Sequence, residues 1–225
     1  MFEKQIVIDG KGHMLGRLAS VVAKELLCGQ AVVVVRCEGI IVSGSLLRNQ
    51  MKWSRYKTKT MNTNPGRGQK HYRSPSMMLW KAIKGMTPNY TQRGQQALGR
   101  LQVFEGIPED FVGAKRMVVP NALKVLHSKT HRKTTVLGRL ASECGWKHSE
   151  LITKLEAARA AKGAAYYATK KEESKLKAKA LASADVSALN TTLAGFGYYI
   201  EPTAVGAMKA LKAEFSTGKS AVVST

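Results

Sequence analysis

Residues 31–42 read Ala-Val-Val-Val-Val-Arg-Cys-Glu-Gly-Ile-Ile-Val, and this stretch decides the fold class. Ala31 to Val35 is apolar and β-branched without alternation, which is typical of a strand buried on both faces. Gly39 interrupts the stretch, and Ile40 to Val42 predicts another short strand. A strand that is covered on both faces needs a layer of structure on each side of its sheet. The stretch therefore favours a layered α/β fold.

Strands and helices alternate on both sides of this stretch. Upstream, Gln5 to Ile8 predicts a strand that runs into an Asp9-Gly10 turn. Downstream, Ser43 to Ser45 offers caps for a helix. A helix that ends at Gly29 is predicted by apolar residues at helical spacing, namely Leu15, Leu18, Ala19, Val22, Ala23 and Leu26. The order strand, helix, strand, strand, helix predicts a three-layer α/β domain with a mainly parallel sheet.

The chain of 225 residues carries 36 Lys and Arg against 15 Asp and Glu, which gives a formal net charge of +21. Nucleic acid is the commonest polyanion that would neutralise such a charge, and a merely soluble basic surface is the alternative. Hydrophobic residues make up 44% of the chain, which excludes wholesale disorder. The apolar run at Ala31 to Val35 is too short to span a bilayer, and the N-terminus lacks a signal-peptide pattern, so we expect neither membrane insertion nor secretion.

Acidic residues are absent from two long segments. Gly39 to Phe104 contains twelve Lys and Arg residues and no Asp or Glu, and Phe111 to Ser142 contains seven Lys and Arg and no acid. A surface selected only for solubility would intersperse both signs. We therefore expect phosphate groups to approach these two segments closely.

The helix after Ser45 carries a basic stripe, because four cations recur at spacings of four, three and four residues. A solvated face is the alternative, but such faces normally include Glu. We expect Trp53 and Tyr56, beside the stripe, to face the core. The members of the stripe are Arg48, Lys52, Arg55 and Lys59.

Residues 62–75 read Asn-Thr-Asn-Pro-Gly-Arg-Gly-Gln-Lys-His-Tyr-Arg-Ser-Pro and contain turn formers, cations and no aliphatic side chain. This composition predicts an extended loop that becomes ordered on a phosphate backbone, with a plain flexible loop as the alternative. Ser76 is expected to cap a short helix that ends at Gly85.

The C-terminal third differs in composition from the rest. Glu150 to Ala184 is rich in Ala, Lys, Leu and Glu, which predicts a long helix without a coiled-coil seam. From Asp185 onward the charges nearly balance. We expect three parts: an α/β domain at 1–148, a basic helical extension at 149–184, and a near-neutral tail at 185–225.

Two local patterns invite other interpretations. The Gly-rich segment from Gly10 to Gly16 follows a strand and opens a helix, so a nucleotide-binding enzyme is the rival hypothesis, with Glu38 as the acid that would hold a ribose. Its spacing departs from the dinucleotide fingerprint, and Lys11 and His13 crowd it. The hexapeptide Leu-Gly-Arg-Leu-Ala-Ser occurs at 15–20 and again at 137–142, which is weak evidence for duplication.

Neither a catalytic constellation nor a metal site is predicted. His127 and His131 could share a helix face, as could Cys144 and His148, but neither pair has the second cluster that a structural zinc needs. The cysteines form no C-x-x-C pair, which fits buried thiols in a reducing compartment. We expect no cofactor and no small-molecule substrate.

Five blocks of the sequence resemble the L-thirteen family of large-subunit ribosomal proteins in its eukaryotic thirteen-A form, and the resemblance is colinear from about Gln5 to Trp146. The blocks are residues 7–10 with 13–20, residues 35–40 with 43–44, residues 64–68 with 71–76, residues 80–81 with 84–86, and residues 103–108. The basic helical appendage resembles the extension of the eukaryotic branch. This chain continues beyond Ile200, where the eukaryotic relatives end.

The resemblance implies a three-layer α/β/α core with a four-stranded parallel sheet, bound to large-subunit ribosomal RNA beside neighbouring ribosomal proteins. It also implies a structural and assembly role without catalysis, a location in the cytosolic large subunit after nucleolar assembly, and a secondary role in messenger-RNA translational control. A regulatory RNA-binding protein free of the ribosome is a further alternative.

The RNA-binding residues that we expect are most of the cations and some histidines of the acid-free segments, together with those in and just after the Gly-rich turn and Lys147. Phosphate neutralisation by these side chains is the expected mechanism. They are Lys11, His13, Arg17, Arg48, Lys52, Arg55, Lys57, Lys59, Arg67, Lys70, His71, Arg73, Lys81, Lys84, Arg93, Arg100, Arg116, Lys129, His131, Arg132, Lys133, Arg139 and Lys147.

Overall fold

The computed structural model describes residues 4–183 and 187–197. Its strands are β1 (Ile6–Asp9), β2 (Val32–Val35), β3 (Ile41–Ser43), β4 (Leu101–Val103), β5 (Arg116–Met117) and β6 (Thr134–Val136). Its helices are α1 (Leu15–Cys28), α2 (Leu46–Lys57), α3 (Pro75–Met86), α4 (Gln92–Gly99), α5 (Lys124–His127), α6 (Leu137–Glu143), α7 (Ser149–Ser183) and α8 (Ser187–Ala194). Short 3₁₀ turns occupy Cys37–Gly39, Pro65–Arg67, Glu109–Phe111 and Pro120–Ala122.

A four-stranded sheet with the order β4-β2-β1-β5 forms the centre of the domain, and each neighbouring pair in it is parallel. All four residues of β2 are buried, because its side chains point alternately to the two faces of the sheet and both faces are covered. Val32 and Val34 join the main core, whereas Val33 and Val35 join a smaller cluster on the other face. The predicted α/β class with a mainly parallel sheet is confirmed.

Helices cover the main-core face of the sheet. The buried side of α1, including Leu18, Val22 and Leu26, packs there together with residues of α3, α4 and α6. Each fully buried Leu or Val of this kind stabilises the fold by about 1.5–3 kcal/mol. On the other face, Phe104, Ile107 and Phe111 cover the smaller cluster. This cover comes from the segment that links β4 to β5.

A second, antiparallel pair of strands joins distant parts of the sequence. In this pair, β3 runs beside β6, with Ile41 opposite Val136 and Ser43 opposite Thr134. Met14 lies on the other side of Ile41 in an isolated parallel bridge. Met14 and Val136, which precede the two copies of the repeated hexapeptide, therefore lie on either side of Ile41. Both copies open a helix, and in each the Ser hydroxyl donates to the Arg carbonyl at 2.8 Å, Ser20 to Arg17 and Ser142 to Arg139.

Several local predictions need correction. Ser74, not Ser76, caps α3, because the Ser74 hydroxyl accepts from the Met77 amide while Ser76 is buried and bonded to Glu105. The helix α2 ends at Lys57, so Lys59 lies beyond the helical part of the basic stripe. Cys37 and Cys144 are buried as predicted, but Cys28 is exposed. Trp53 packs against the main core, whereas Tyr56 is half-buried beside His71.

The described residues divide between two compact units, one that ends at Ala158 and one that begins at Arg159. The long C-terminal helix is confirmed as α7, and Tyr166, Tyr167 and Leu176 on its second-unit part are exposed. The predicted part boundaries at 148 and 184 stay predictions. The predicted tail at 185–225 lies outside the described residues except for 187–197.

Candidate nucleic-acid interface

The first unit contains an open cleft of about 600 Å³ at the start of α2. Of the described residues that line this cleft, none is Asp or Glu. Cations from three separate segments meet there: one from α1, two from α2 and two from the chain before β6. We call this feature the basic cleft, and its cations are Arg17, Arg48, Lys52, Arg132 and Lys133.

The pairing of β3 with β6 builds the basic cleft. Gly44 donates its amide to the Lys133 carbonyl at 2.9 Å, and Thr135 donates its hydroxyl to the Gly44 carbonyl at 2.9 Å. The buried Asn49 amide donates to the Thr135 hydroxyl at 3.1 Å. At Gly44 φ is 103°, a left-handed conformation that favours glycine. These bonds hold the segment before β6 against the first turn of α2.

The first turn of α2 adds to the positive potential of the basic cleft. Ser45 caps the helix by accepting from the Arg48 amide, and no acidic residue lies in the first turn. The unpaired amides at the start of a helix carry partial positive charge and favour anions. The arrangement suits a phosphate group chemically, because cations from three segments and a helix N-terminus border the same space.

The loop at 62–75 is held at one end by the aromatic face of α2. The Tyr56 hydroxyl donates to the Lys70 carbonyl at 2.7 Å, and its ring meets that of His71 with centroids 4.4 Å apart. The Lys81 amine lies 4.0 Å from the Tyr56 ring centroid. Burial lowers the pKa of Lys81, and the charge of Lys84 lowers it further. The ordering of this loop on RNA stays a prediction.

Most of the predicted RNA-binding residues are at the surface. His71, Lys81, Lys84 and Arg100 are half-buried. The exposed ones are Lys11, Arg17, Arg48, Lys52, Arg55, Lys57, Lys59, Arg67, Lys70, Arg73, Arg93, Arg116, Lys129, His131, Arg132, Lys133, Arg139 and Lys147.

Three of the predicted residues make hydrogen bonds within the protein. His13 is fully buried; its Nε2 accepts from the Val119 amide at 3.0 Å and its Nδ1 lies 3.2 Å from the Lys11 carbonyl, so it cannot reach a phosphate. Arg100 donates to the Leu26 carbonyl at 2.8 Å and so satisfies the end of α1. Arg116 donates to the Val112 carbonyl at 3.2 Å. The sequence pattern that selects these three residues does not reveal their hydrogen bonds.

Other residues were missed. His127 and Ser128 line the basic cleft, and their position inside the second acid-free segment is the signal that could have found them. Arg36 is bonded to Asp9 through two nitrogens. Burial raises the pKa of Asp9, but the bonds from Arg36 and the Lys11 amide, with the charges of Arg36 and Arg116, outweigh it and hold that pKa below its ordinary value.

A second cleft of about 550 Å³ contains both signs of charge. We call it the mixed cleft; its charged residues are Lys11, Arg36, Glu38, Arg139 and Glu156. Glu38 accepts from the Gly106 amide at 2.9 Å, and Glu156 accepts from the Ile107 amide at 3.0 Å. Burial raises the pKa of Glu38, and the neighbouring charge of Glu156 acts in the same direction. The acids of this cleft fix the turn after β4.

The structure does not support a nucleotide site at the Gly-rich turn. A side chain on Gly10 would lie 3.1 Å from the Val35 carbonyl, so this glycine permits close packing of the turn on β2. Glu38, which would have to hold a ribose, is bonded to Gly106 instead. Within the described ranges, no three His, Cys, Asp or Glu side chains are grouped as a metal site would need. No helix among these residues is both long and apolar enough to cross a membrane.

Comparison with known proteins assigns the family. The model of the family described as "Ribosomal protein L13" matches residues 3–110. A curated large ribosomal subunit protein uL13 from Dictyostelium discoideum is 55% identical over 168 residues, which cover 74% of this chain and 90% of that protein. The chain belongs to the ribosomal protein L13 family. A large ribosomal subunit protein uL13 from Tetrahymena thermophila is 48% identical over 198 residues, or 88% of this chain and all of that protein.

Membership of the L13 family confirms the resemblance carried by the five sequence blocks. It makes the chain a structural protein of the ribosome rather than an enzyme. The family match at 3–110 includes β1 to β4 and the α2 side of the basic cleft, whereas Arg132 and Lys133 lie beyond it.

Proposed function

We propose that this chain is a structural constituent of the cytosolic large ribosomal subunit that binds large-subunit ribosomal RNA by neutralising its phosphates. The observation that carries the proposal is the basic cleft, where five Lys and Arg side chains converge without an acid among the described lining residues. The relatives from Dictyostelium and Tetrahymena, named as large ribosomal subunit proteins, support the location. Nucleolar assembly and contacts with neighbouring ribosomal proteins belong to the same proposal.

The mechanism is positional and electrostatic. Cations that contact phosphates release condensed counterions and fix the register of the protein on RNA, but they read no sequence. The β3–β6 pair holds the segment that carries Arg132 and Lys133 beside the start of α2, and the exposed cations of α2 and the 62–75 loop extend the contact surface. Lys11 and Arg139 contribute less, because they share the mixed cleft with Glu38 and Glu156.

Sedimentation of cell extract on a sucrose gradient tests the location. The protein is expected to sediment with the large subunit at moderate salt and to leave it only at high salt, because phosphate contacts are screened. A protein that stays in the ribosome-free fractions at moderate salt would contradict the proposal and favour a free regulatory RNA-binding protein.

A further inference from the structure

An apolar groove of about 350 Å³ lies beside the basic cleft, between α2 and α3. Its floor consists of aliphatic side chains from α1, β3 and α6, and its walls contain three aromatic rings. The volume falls at the lower end of the range of small-molecule pockets. The groove is lined by Leu15, Val42, Asn49, Lys52, Trp53, Tyr56, Tyr72, Met78, Lys81, Leu137 and Leu140.

The packing of the helices leaves the groove open. The helix α2 packs on α6 and β6, whereas α3 packs mainly on α1, and the Lys81 side chain of α3 reaches across to the Tyr56 ring of α2. Leu15, Val42 and Met78 are consequently only partly buried. Covering apolar surface of this kind with a flat apolar ligand is favourable, because the surface is removed from water.

The aromatic walls are fixed before any ligand arrives. Tyr56 is held by its hydroxyl bond to the Lys70 carbonyl and lies 5.2 Å from the Trp53 ring, centroid to centroid. Tyr72 meets the Trp80 ring edge-on, with centroids 6.0 Å apart. Side chains locked by such contacts lose little freedom on binding, which favours affinity.

Charge indicates which ligand fits the groove. Lys52 lines both the groove and the basic cleft. Lys81 also lines the groove, where its amine lies over the Tyr56 ring and donates to the Lys70 carbonyl at 3.3 Å, which leaves its other N–H groups for an anion. None of the described residues that line the groove is acidic. An apolar side chain of a partner protein would leave both amines without an anion, whereas a nucleotide supplies a flat base with a phosphate on each side. Aromatic surfaces flanked by cations are the usual platform for unstacked bases of single-stranded RNA.

We propose that the groove between α2 and α3 is a nucleobase pocket, which takes one unpaired base of the RNA while Lys52 and Lys81 contact the adjoining phosphates. This inference rests on the proposed function, because it assumes an RNA ligand. It adds base recognition by stacking to an interface that otherwise contacts phosphates only.

The test separates the base from the phosphates. Two end-labelled seven-nucleotide probes carry stable abasic spacers throughout, and one of them has a single adenine at its centre. Both probes present the same phosphates, so fluorescence anisotropy with the full chain measures the contribution of the base alone. The adenine probe is expected to bind about tenfold more tightly. Affinities that differ by less than about twofold would overturn the pocket.

Two tyrosine variants locate the effect. In Tyr72→Leu, which keeps apolar bulk and removes the ring, the adenine advantage is expected to vanish while affinity for the abasic probe is unchanged. Tyr90→Leu is the matched control, since Tyr90 is 95% exposed and lies outside the groove, and it should retain the advantage. Equal weakening of both probes by Tyr72→Leu, or loss of the advantage in Tyr90→Leu, would contradict the inference.

A further measurement needs no variant and remains informative if Tyr72→Leu fails to fold. With 2-aminopurine in place of the adenine, stacking on the aromatic walls should quench its fluorescence when the wild-type chain binds, and unchanged fluorescence would contradict the pocket. Failure of both probes to bind in a salt-dependent manner would contradict the proposed function itself, whereas equal binding of both probes would contradict only the base pocket.

Discussion

The basic cleft and the mixed cleft are each lined by the arginine of one copy of the repeated hexapeptide, in two different electrostatic settings. Each copy opens a helix beside Ile41 with the same Ser-to-Arg bond. Arg17 of the first copy lines a cleft with four other Lys and Arg residues. Arg139 of the second copy lines the cleft that contains Glu38 and Glu156, and its Nε lies 3.7 Å from the Glu143 carboxylate outside that cleft. Identical local sequence thus gives an arginine available to a phosphate in one place and a partly neutralised one in the other.

The comparison separates two uses of charge in one domain. Acids of the mixed cleft accept hydrogen bonds from backbone amides at 106 and 107 and so stabilise the fold. The basic cleft has no such compensation among the described residues, so its cations repel one another and a bound anion would relieve that repulsion. Substitutions in the basic cleft should therefore change RNA affinity, and those in the mixed cleft should change stability.

The largest effect is expected when the basic cleft loses three cations together. Changing Arg48, Lys52 and Arg132 to Gln removes three exposed charges from two segments that the β3–β6 pair brings together. Affinity for a ribosomal RNA fragment at about 0.1 M salt should fall on the order of a hundredfold or more, because each phosphate contact contributes nearly a factor of ten through counterion release. Filter binding measures it, with thermal unfolding as the control for an intact fold. A loss below about fivefold would remove the basic cleft from the interface.

A matched pair of single variants gives the next largest effect. Arg17→Gln should weaken RNA binding about five- to tenfold, because it removes one phosphate contact. Arg139→Gln, at the equivalent place in the second hexapeptide, should change affinity by less than about twofold, since Glu143 and the mixed cleft already offset its charge. Equal losses in the two variants would show that the acids of the mixed cleft do not matter to RNA.

The smallest effect on RNA, with a distinct effect on stability, is expected for Glu38→Gln. Burial holds the pKa of Glu38 in the folded protein above its ordinary value of 4.5, so the folded state binds the proton more tightly than the unfolded chain does. The free energy of unfolding should therefore fall as pH rises just above 4.5, and Glu38→Gln should remove that fall.

Urea unfolding at a series of pH values measures the free energy of unfolding of the wild type and of Glu38→Gln. The affinity of the variant for RNA should differ from that of the wild type by less than about twofold. Asp9 provides an internal control of opposite sign, since its pKa is lowered and its contribution is lost as pH falls below 3.8 in both proteins. An unchanged pH profile in the Glu38→Gln variant would show that Glu38 is not the group responsible.

The fold could be predicted largely because its signals are local. The β-branched run at β2 and the periodicity of α1 define the parallel α/β layers directly, and the structure moves the ends of β1 and β3 by one residue. The acid-free segments also indicated which surface carries uncompensated charge. The sequence could not show that Arg48 and Arg132 meet, because the β3–β6 pairing that joins them links residues more than 90 positions apart.

The burial of single polar residues could not be predicted from the sequence either. His13 sits in a Gly-rich turn with Lys11, where exposure is the ordinary expectation, yet it is buried because the Val119 amide supplies a partner from more than 100 residues away. Arg100 has its partner at Leu26, also far along the chain. Such long-range hydrogen bonds engage a side chain within the fold, and no local pattern encodes them.

The dependence of RNA affinity on salt tests the central claim most directly. The two acid-free segments contain nineteen Lys and Arg residues, and if roughly half contact phosphates, log affinity against log salt should have a slope on the order of −6 to −9. In the variant without Arg48, Lys52 and Arg132, this slope should be shallower by about 2 to 3. A slope shallower than about −3 for the full chain, or one that the triple substitution leaves unchanged, would contradict the account.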